Sequence, residues 1–242
     1  MDSNRLTLTQ KNTLNDASLL AYGSDIATDL HTFLGFGIGA LILTHPHPST
    51  LERRTECGLH IIASGLDFGD GWIKNMAVKK ASSIVLAEQK DIRVNKPNSD
   101  EWQLLHDHGI IDKPRKDERS DKKYFYSVMS SIAIREAMNG NTKIAAVLSA
   151  NIGISALRDK SKTDLRNYAE AHNLPTNAKK WGKAKTLLHN VGIGIVLGSS
   201  EKNIVGKAIG CAVISAGTTI GLHDWRIYRR YIRLEQARAG EL

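Results

Sequence analysis

Aromatic residues make up only 6% of this 242-residue chain. That is thin for a protein that stacks single-stranded bases. The basic excess, 33 Lys+Arg against 25 Asp+Glu for a net charge of +8, therefore points to anionic lipid or phosphorylated small molecules rather than nucleic acid. Cysteine is almost absent. Cys57 and Cys211 lie far apart, form no metal-ligand cluster and sit in apolar surroundings, so both read as buried free thiols. A secretory signal is not expected, because Met1 to Asp16 is polar and no basic segment leads directly into an apolar run. No Ser-His-Asp or Cys-His motif, internal repeat or low-complexity tract is found. Mean hydropathy is slightly negative at −0.27, and several apolar stretches fall short of the about 20 residues that a bilayer span needs.

What the chain does have is a series of apolar stretches rich in small residues: 30–44, 57–73, 124–134, 142–157, 187–197 and 204–222. Each extends over weakly polar Ser, Thr, Asn and Gly, the residues packed membrane helices use at their contacts. If these are six spans, the connections alternate in charge. Residues 74–123, residues 158–185 and the tail with Arg226, Arg229, Arg230, Arg233 and Arg238 are long and basic. The connections near 139–141 and 199–203 are very short. This is the positive-inside pattern; Arg53 and Arg54 on the first connection depart from it. The expectation is an all-α polytopic membrane protein with about six transmembrane helices, forming a single domain over 1–242. It is multi-pass in the cytoplasmic membrane, with both termini and the active site on the cytoplasmic side. Residues 86–116, with Pro97 and Pro114 as breakers, read as a polar cytoplasmic insertion between the second and third helices, carrying a short helix around Asp100 to His108. The tail, with Trp225, Ile227, Tyr228 and Ile232 among arginines, suits the headgroup region.

The most informative stretch is Leu66-Asp-Phe-Gly-Asp-Gly-Trp-Ile-Lys-Asn75. Asp67 and Asp70 are three apart and share one face of a helix. Paired carboxylates repel unless a proton or cation stands between them, and at the end of an apolar helix that cost grows. A hard divalent ion, magnesium or manganese, resolves both. Gly69 and Gly71 clear side chains from around Asp70, which lets a ligand approach the backbone. Taken alone, this pattern also fits a helix end with capping aspartates. A second pair, Asp117 and Asp121, lies four apart just before the next apolar stretch, on the same expected membrane side. Four such carboxylates between helices make a two-metal site for phosphoryl chemistry plausible.

These residues resemble the signature of the CDP-alcohol phosphatidyltransferases, D-x2-D-G-x2-A-R followed by a Gly and D-x3-D. Asp67-Phe-Gly-Asp70-Gly71 fits the opening, and Asp117-Glu-Arg-Ser-Asp121 fits the close. Lys74-Asn75 stands where the family has Ala-Arg, Lys113 where it has Gly, and the spacer is longer. Downstream, Arg158-Asp159, Leu165-Arg166 and Gly182-Lys183-Ala184-Lys185-Thr186 are similar to the phosphatidylglycerophosphate synthase branch. The resemblance implies transfer of a phosphatidyl group from CDP-diacylglycerol to glycerol 3-phosphate with release of CMP, or to another acceptor such as an inositol phosphate. It implies Asp67, Asp70, Asp117 and Asp121 as ligands of Mg2+ or Mn2+, with Asp121 also the catalytic general base. Asp67, Gly71 and Lys74 would contact the nucleotide, and Arg158, Arg166, Lys183 and Lys185 the acceptor phosphate. It also implies a homodimer in lipid. The same basic residues fit simple anchoring against anionic headgroups. A divergent, non-catalytic membrane protein or a soluble anion-binding helical protein are the competing readings.

Other features read as structural. His45 and His47 alternate with prolines as in a turn. His60 and His189 lie on apolar stretches as packed, hydrogen-bonded residues. His106 and His108 have no partner cluster. Gly35, Gly37 and Gly39 follow no strand and suit helix packing better than a nucleotide loop.

Overall fold

Short polar residues set the helix ends. Thr7 opens the first helix with a capping box, its hydroxyl accepting from the Gln10 N–H while the Gln10 side chain accepts from Thr7 N–H. Ser49 opens the second in the same way, with Glu52 reaching back to Ser49 N–H at 2.6 Å. Asn203 caps the last through Gly206 N–H. Each such cap satisfies backbone donors that the first helical turn leaves unpaired. Gly140, at φ +77°, ends the third helix in the left-handed conformation that only glycine adopts freely. Pro46 and Pro48 fall in the turn between the first and second helices.

The computed structural model describes residues 7–85, 105–110, 116–172, 174 and 180–238. Among these there is no strand, and six long helices carry the chain: α1 (Leu8–Thr44), α2 (Thr50–Val85), α3 (Lys116–Met138), α4 (Thr142–Ala171), α5 (Lys180–Gly198) and α6 (Ile204–Arg238). The all-α expectation holds for these residues. Two helices, α1 and α6, are long and apolar enough to cross a membrane; the other four do not reach that standard by themselves. Of the 86–116 insertion, the described residues are 105–110 and Lys116, the first residue of α3. Leu105 and Ile110 are buried against Leu14, Ala17 and Ala21 of α1 and Ala77 and Ala81 of α2.

The helices close a ring. Packing runs α1–α3–α4–α6–α5–α2 and back to α1. At one end the turns at 45–49, 139–141 and 199–203 join neighbours; the longer connections belong to the other end. The central core draws on every helix, with Ile38 and Ile42 of α1, Ala63 of α2, Met129 and Ile132 of α3, Leu148 of α4, Ile193 and Leu197 of α5, and Ile214 of α6.

Close approach depends on missing side chains at two seams. A Cβ on Gly35 would stand 2.6 Å from the Tyr124 ring, and one on Gly39 2.7 Å from Ser127 Oγ; α3 therefore lies directly on the α1 backbone. Gly192 and Gly210 face one another across α5 and α6, where a Cβ on either would stand 2.8 Å from the other's carbonyl oxygen. Gly217 takes the edge of His189 in the same manner. Such small-residue contacts let helix backbones approach closely.

Charge is buried at the end of the ring that carries the short turns. Arg135 donates to both oxygens of Glu56 at 2.8 and 2.7 Å, linking α3 to α2. Neighbouring Glu136 accepts from Lys207 of α6 and from Asn141, each at 2.7 Å. Both pairs are almost fully buried. Nearer the surface, His47 bonds Glu201 at 2.7 Å and ties two of the turns together. That hydrogen bond holds the Glu201 carboxyl below its ordinary range.

Two stability outcomes follow. Gly210→Leu drives a side chain into the Gly192 carbonyl and should cost about 1–3 kcal/mol or more, whereas Gly37→Leu, with nothing within 4 Å of its Cβ, should leave the unfolding midpoint unchanged in detergent. Arg135→Met strands the Glu56 carboxylate and should cost about 3–5 kcal/mol, most of it recovered in the Glu56→Leu/Arg135→Met double variant. Chemical unfolding of the four variants and the parent protein under one condition measures both effects.

Candidate functional site

Toward the other end, the ring encloses a pocket that all six helices line. Its walls are His31 of α1, Asp67 of α2, Asp121, Lys122, Tyr124 and Phe125 of α3, Arg158, Asp159 and Lys162 of α4, Gly182, Lys185, Thr186, His189 and Asn190 of α5, and Gly221 and Asp224 of α6. Four acids and four cations share this lining.

Asp67 and Asp121, 54 positions apart in sequence, stand within hydrogen-bonding reach of one another. Asn190 Nδ2 donates to Asp67 Oδ2 at 3.4 Å. The Asn190 carbonyl in turn accepts from His60 Nε2 at 2.7 Å, and His60 Nδ1 takes the Tyr124 hydroxyl proton. The Asp67 carboxylate is thus held by a chain of groups from α5, α2 and α3.

The other two aspartates of the resemblance stand elsewhere. Asp70, one turn along α2, is buried at the α1 contact, accepting from Thr28 Oγ1 at 2.8 Å and from Ser24 Oγ. It does not line the pocket. The Asp117 side chain lies outside the described residues, although its backbone belongs to the first turn of α3. Among the described residues no group of three acid, imidazole or thiol side chains is arranged to hold a metal ion. The Asp67–Asp121 pair nevertheless fits a cation on a physical ground. Two carboxylates this close repel unless a proton or cation stands between them, and oxygen donors of this kind suit magnesium or manganese.

Arg158 and Lys185 supply the cationic wall. Arg158 is buried, and its Nε and Nη2 donate to Asp159, whose other oxygen accepts the Tyr126 hydroxyl at 2.9 Å. Nη1 of Arg158 has no hydrogen-bond partner among the described residues. A buried guanidinium with an unused N–H group is costly unless an anion takes it. The bare backbone of Gly221 leaves the space that this guanidinium occupies, and Lys185 lies against the same glycine. Lys162 is paired with Asp224 at 3.0 Å.

Of the remaining residues singled out in the sequence, Gly71 is exposed on α2, and Lys74 is buried on α2 outside the pocket lining. Arg166 is buried two turns beyond Arg158, and Lys183 is exposed. Lys162, Asn190, Asp224 and His31 carry no motif of their own and were not expected at the site; Lys122 directly follows Asp121 in the second aspartate pair's motif and was given no role there. The one signal in the sequence that bears on them is a polar residue inside or beside an apolar stretch.

No protein-family model, characterised protein or solved structure matches this chain significantly.

The cationic wall makes a direct test of packing. Gly221→Ala puts a methyl group where the Arg158 guanidinium lies and should lower the thermal midpoint. Gly153→Ala on α4, with nothing within 4 Å of its Cβ, should not. Differential scanning fluorimetry of the two variants decides it.

Proposed function

We propose that this chain is an integral membrane phosphotransferase. Its reaction is transfer of the phosphatidyl group of CDP-diacylglycerol to glycerol 3-phosphate with release of CMP, in the manner of the CDP-alcohol phosphatidyltransferases whose signature it resembles. One observation carries the reading. Residues taken from two separate halves of that signature and from its downstream basic motifs meet in one pocket: Asp67, Asp121, Arg158 and Lys185.

The membrane part rests on α1 and α6 and on the outer faces of the ring. Phe33, Phe36, Ile61, Ile62, Val191 and Val205 are all more than two-fifths exposed. Exposed apolar side chains on α1, α2, α5 and α6 are what lipid covers and water does not. On this reading the six helices are six spans. The long connections and both termini are cytoplasmic, and the pocket opens to that side.

The chemistry is a displacement at phosphorus. A divalent ion held by Asp67 and Asp121 would offset the charge of the diphosphate and of departing CMP. Asp121 receives the proton of the acceptor hydroxyl. The hydroxyl oxygen then bonds the phosphorus that carries diacylglycerol, and the bond from that phosphorus to CMP breaks. Arg158 and Lys185 hold the acceptor's own phosphate, with the free Nη1 of Arg158 as donor. Holding that phosphate fixes the hydroxyl near the reacting atom and lowers the entropic part of the barrier.

The test is CMP release from CDP-diacylglycerol by the protein in detergent–lipid micelles with magnesium or manganese, across a panel of acceptors that includes glycerol 3-phosphate and inositol phosphate. Glycerol 3-phosphate should be the preferred acceptor. Asp121→Asn should lower turnover by at least 10²-fold with an unchanged unfolding midpoint. Absence of CMP release with every acceptor would refute the reading, and preference for another acceptor would refute the choice of glycerol 3-phosphate.

A further inference from the structure

Arg158 and Asp159 are neighbours in sequence on α4, and residues one apart on a helix do not face each other. They pair nonetheless, and in an unequal way. Two donating groups of Arg158, Nε at 2.9 Å and Nη2, fall on one oxygen, Asp159 Oδ1. The other oxygen, Oδ2, accepts the Tyr126 hydroxyl from α3 at 2.9 Å. By contrast, Glu56 offers both of its oxygens to Arg135. The Tyr126 bond thus turns Asp159 so that a single oxygen meets the guanidinium along its Nε–Nη2 edge. Nη1 is left on the far edge, buried and without a hydrogen-bond partner among the described residues, against the bare backbone of Gly221. Tyr126 does not itself line the pocket. Its ring meets Phe125 edge-on at 5.3 Å and 72°, and Phe125 stacks on His189, so the pocket wall sets the ring that carries the hydroxyl.

The other three acids of the lining are engaged elsewhere. Asp224 is held by Lys162 at 3.0 Å, and Asp67 and Asp121 face each other. Asp159 feels three cations at once, Lys185, Arg158 and Lys122. A carboxylate free to rotate among them would carry the guanidinium with it. A hydroxyl donor removes that freedom with one bond and no added charge. We infer that Tyr126 is a positioning residue: through Asp159 it fixes the Arg158 guanidinium so that Nη1 faces the phosphate group of the acceptor. This rests on the phosphotransferase reading above for which anion is held. Hydrogen bonds weaken steeply when they are misaligned, so the effect belongs to the binding of that phosphate and not to the chemical step.

Tyr126→Phe removes the hydroxyl and keeps the ring. Binding is measured by isothermal titration of glycerol 3-phosphate into the full-length protein in detergent–lipid micelles, with magnesium and without CDP-diacylglycerol, at a temperature where both proteins are folded. Kd should rise about tenfold, the loss of one hydrogen bond of ordinary strength. A merely structural role would lower the thermal midpoint and leave Kd in place. A Kd within twofold of wild type overturns the inference, and so does a wild-type protein that binds no glycerol 3-phosphate. Arg158→Lys supplies a second arm. An ammonium group has no second edge to be aimed, so on that background Tyr126→Phe should change Kd less than twofold. A further tenfold loss there places the action of Tyr126 elsewhere and overturns the inference.

The CMP-release assay separates the sources of the phosphate. With Tyr126→Phe, KM for glycerol 3-phosphate should rise by the same factor as Kd, with kcat and the KM for CDP-diacylglycerol little changed. A rise confined to CDP-diacylglycerol would assign the anion to the nucleotide's diphosphate and overturns the inference. A protein that releases no CMP and still shows the binding differences sustains the positioning role while removing the reaction.

Discussion

The backbone-to-backbone contact of α5 and α6 at Gly192 and Gly210 sets the geometry of everything around it. With no side chains between them, the two helices approach until each glycine would obstruct the other's carbonyl. Farther along the same seam, Gly217 accepts the edge of His189 and Gly221 accepts the Arg158 guanidinium. The pocket's cationic wall is therefore an extension of a packing contact. Lys185, His189 and Asn190 on α5 face inward at the height of Asp67 because that seam fixes the rotation of α5 about its axis.

Charge is divided between two levels of the ring. At the end with the short turns, Glu56–Arg135 and Glu136–Lys207 are paired one to one and closed to solvent. Such pairs add little net stability relative to apolar packing, but they make any mismatch expensive and so select one arrangement of α2, α3 and α6. In the pocket the pairing is incomplete. Asp159 takes two of Arg158's three donor groups and leaves Nη1 without a partner, and Asp67 and Asp121 face each other. The same residue types are thus structural at one level and available for chemistry at the other.

The helical architecture was legible in the sequence because apolar stretches and their breakers are local properties. The turns at Pro46–Pro48 and Asn139–Asn141, and the packing role of Gly35 and Gly39, appear where the spacing puts them. Asp67, Asp121, Arg158 and Lys185 were legible as motif positions, and they meet in one pocket. Asp70 was not legible in the same way. Its hydroxyl partners, Ser24 and Thr28, lie 46 and 42 positions away on another helix, and no pattern around Asp70 announces them. His31 escaped for a related reason. A lone histidine in an apolar stretch looks like a core residue until the pocket is seen to include it.

The paired charges at the short-turn end also govern the order in which the chain can reach this state. On the membrane reading, α2 and α3 bring Glu56 and Arg135 into lipid before α6 exists to supply Lys207. Until then Glu136 is a carboxylate near the end of α3 without its cation, with Asn141 its only partner among the pairs described. The first five helices form an open arc with an electrostatic vacancy on α3. Arrival of the sixth neutralises Glu136 and closes the α4–α6 and α5–α6 seams in one event. α6 is thereby the one that commits the other five, and a chain truncated before Lys207 would leave the buried Glu136 carboxylate without its cation.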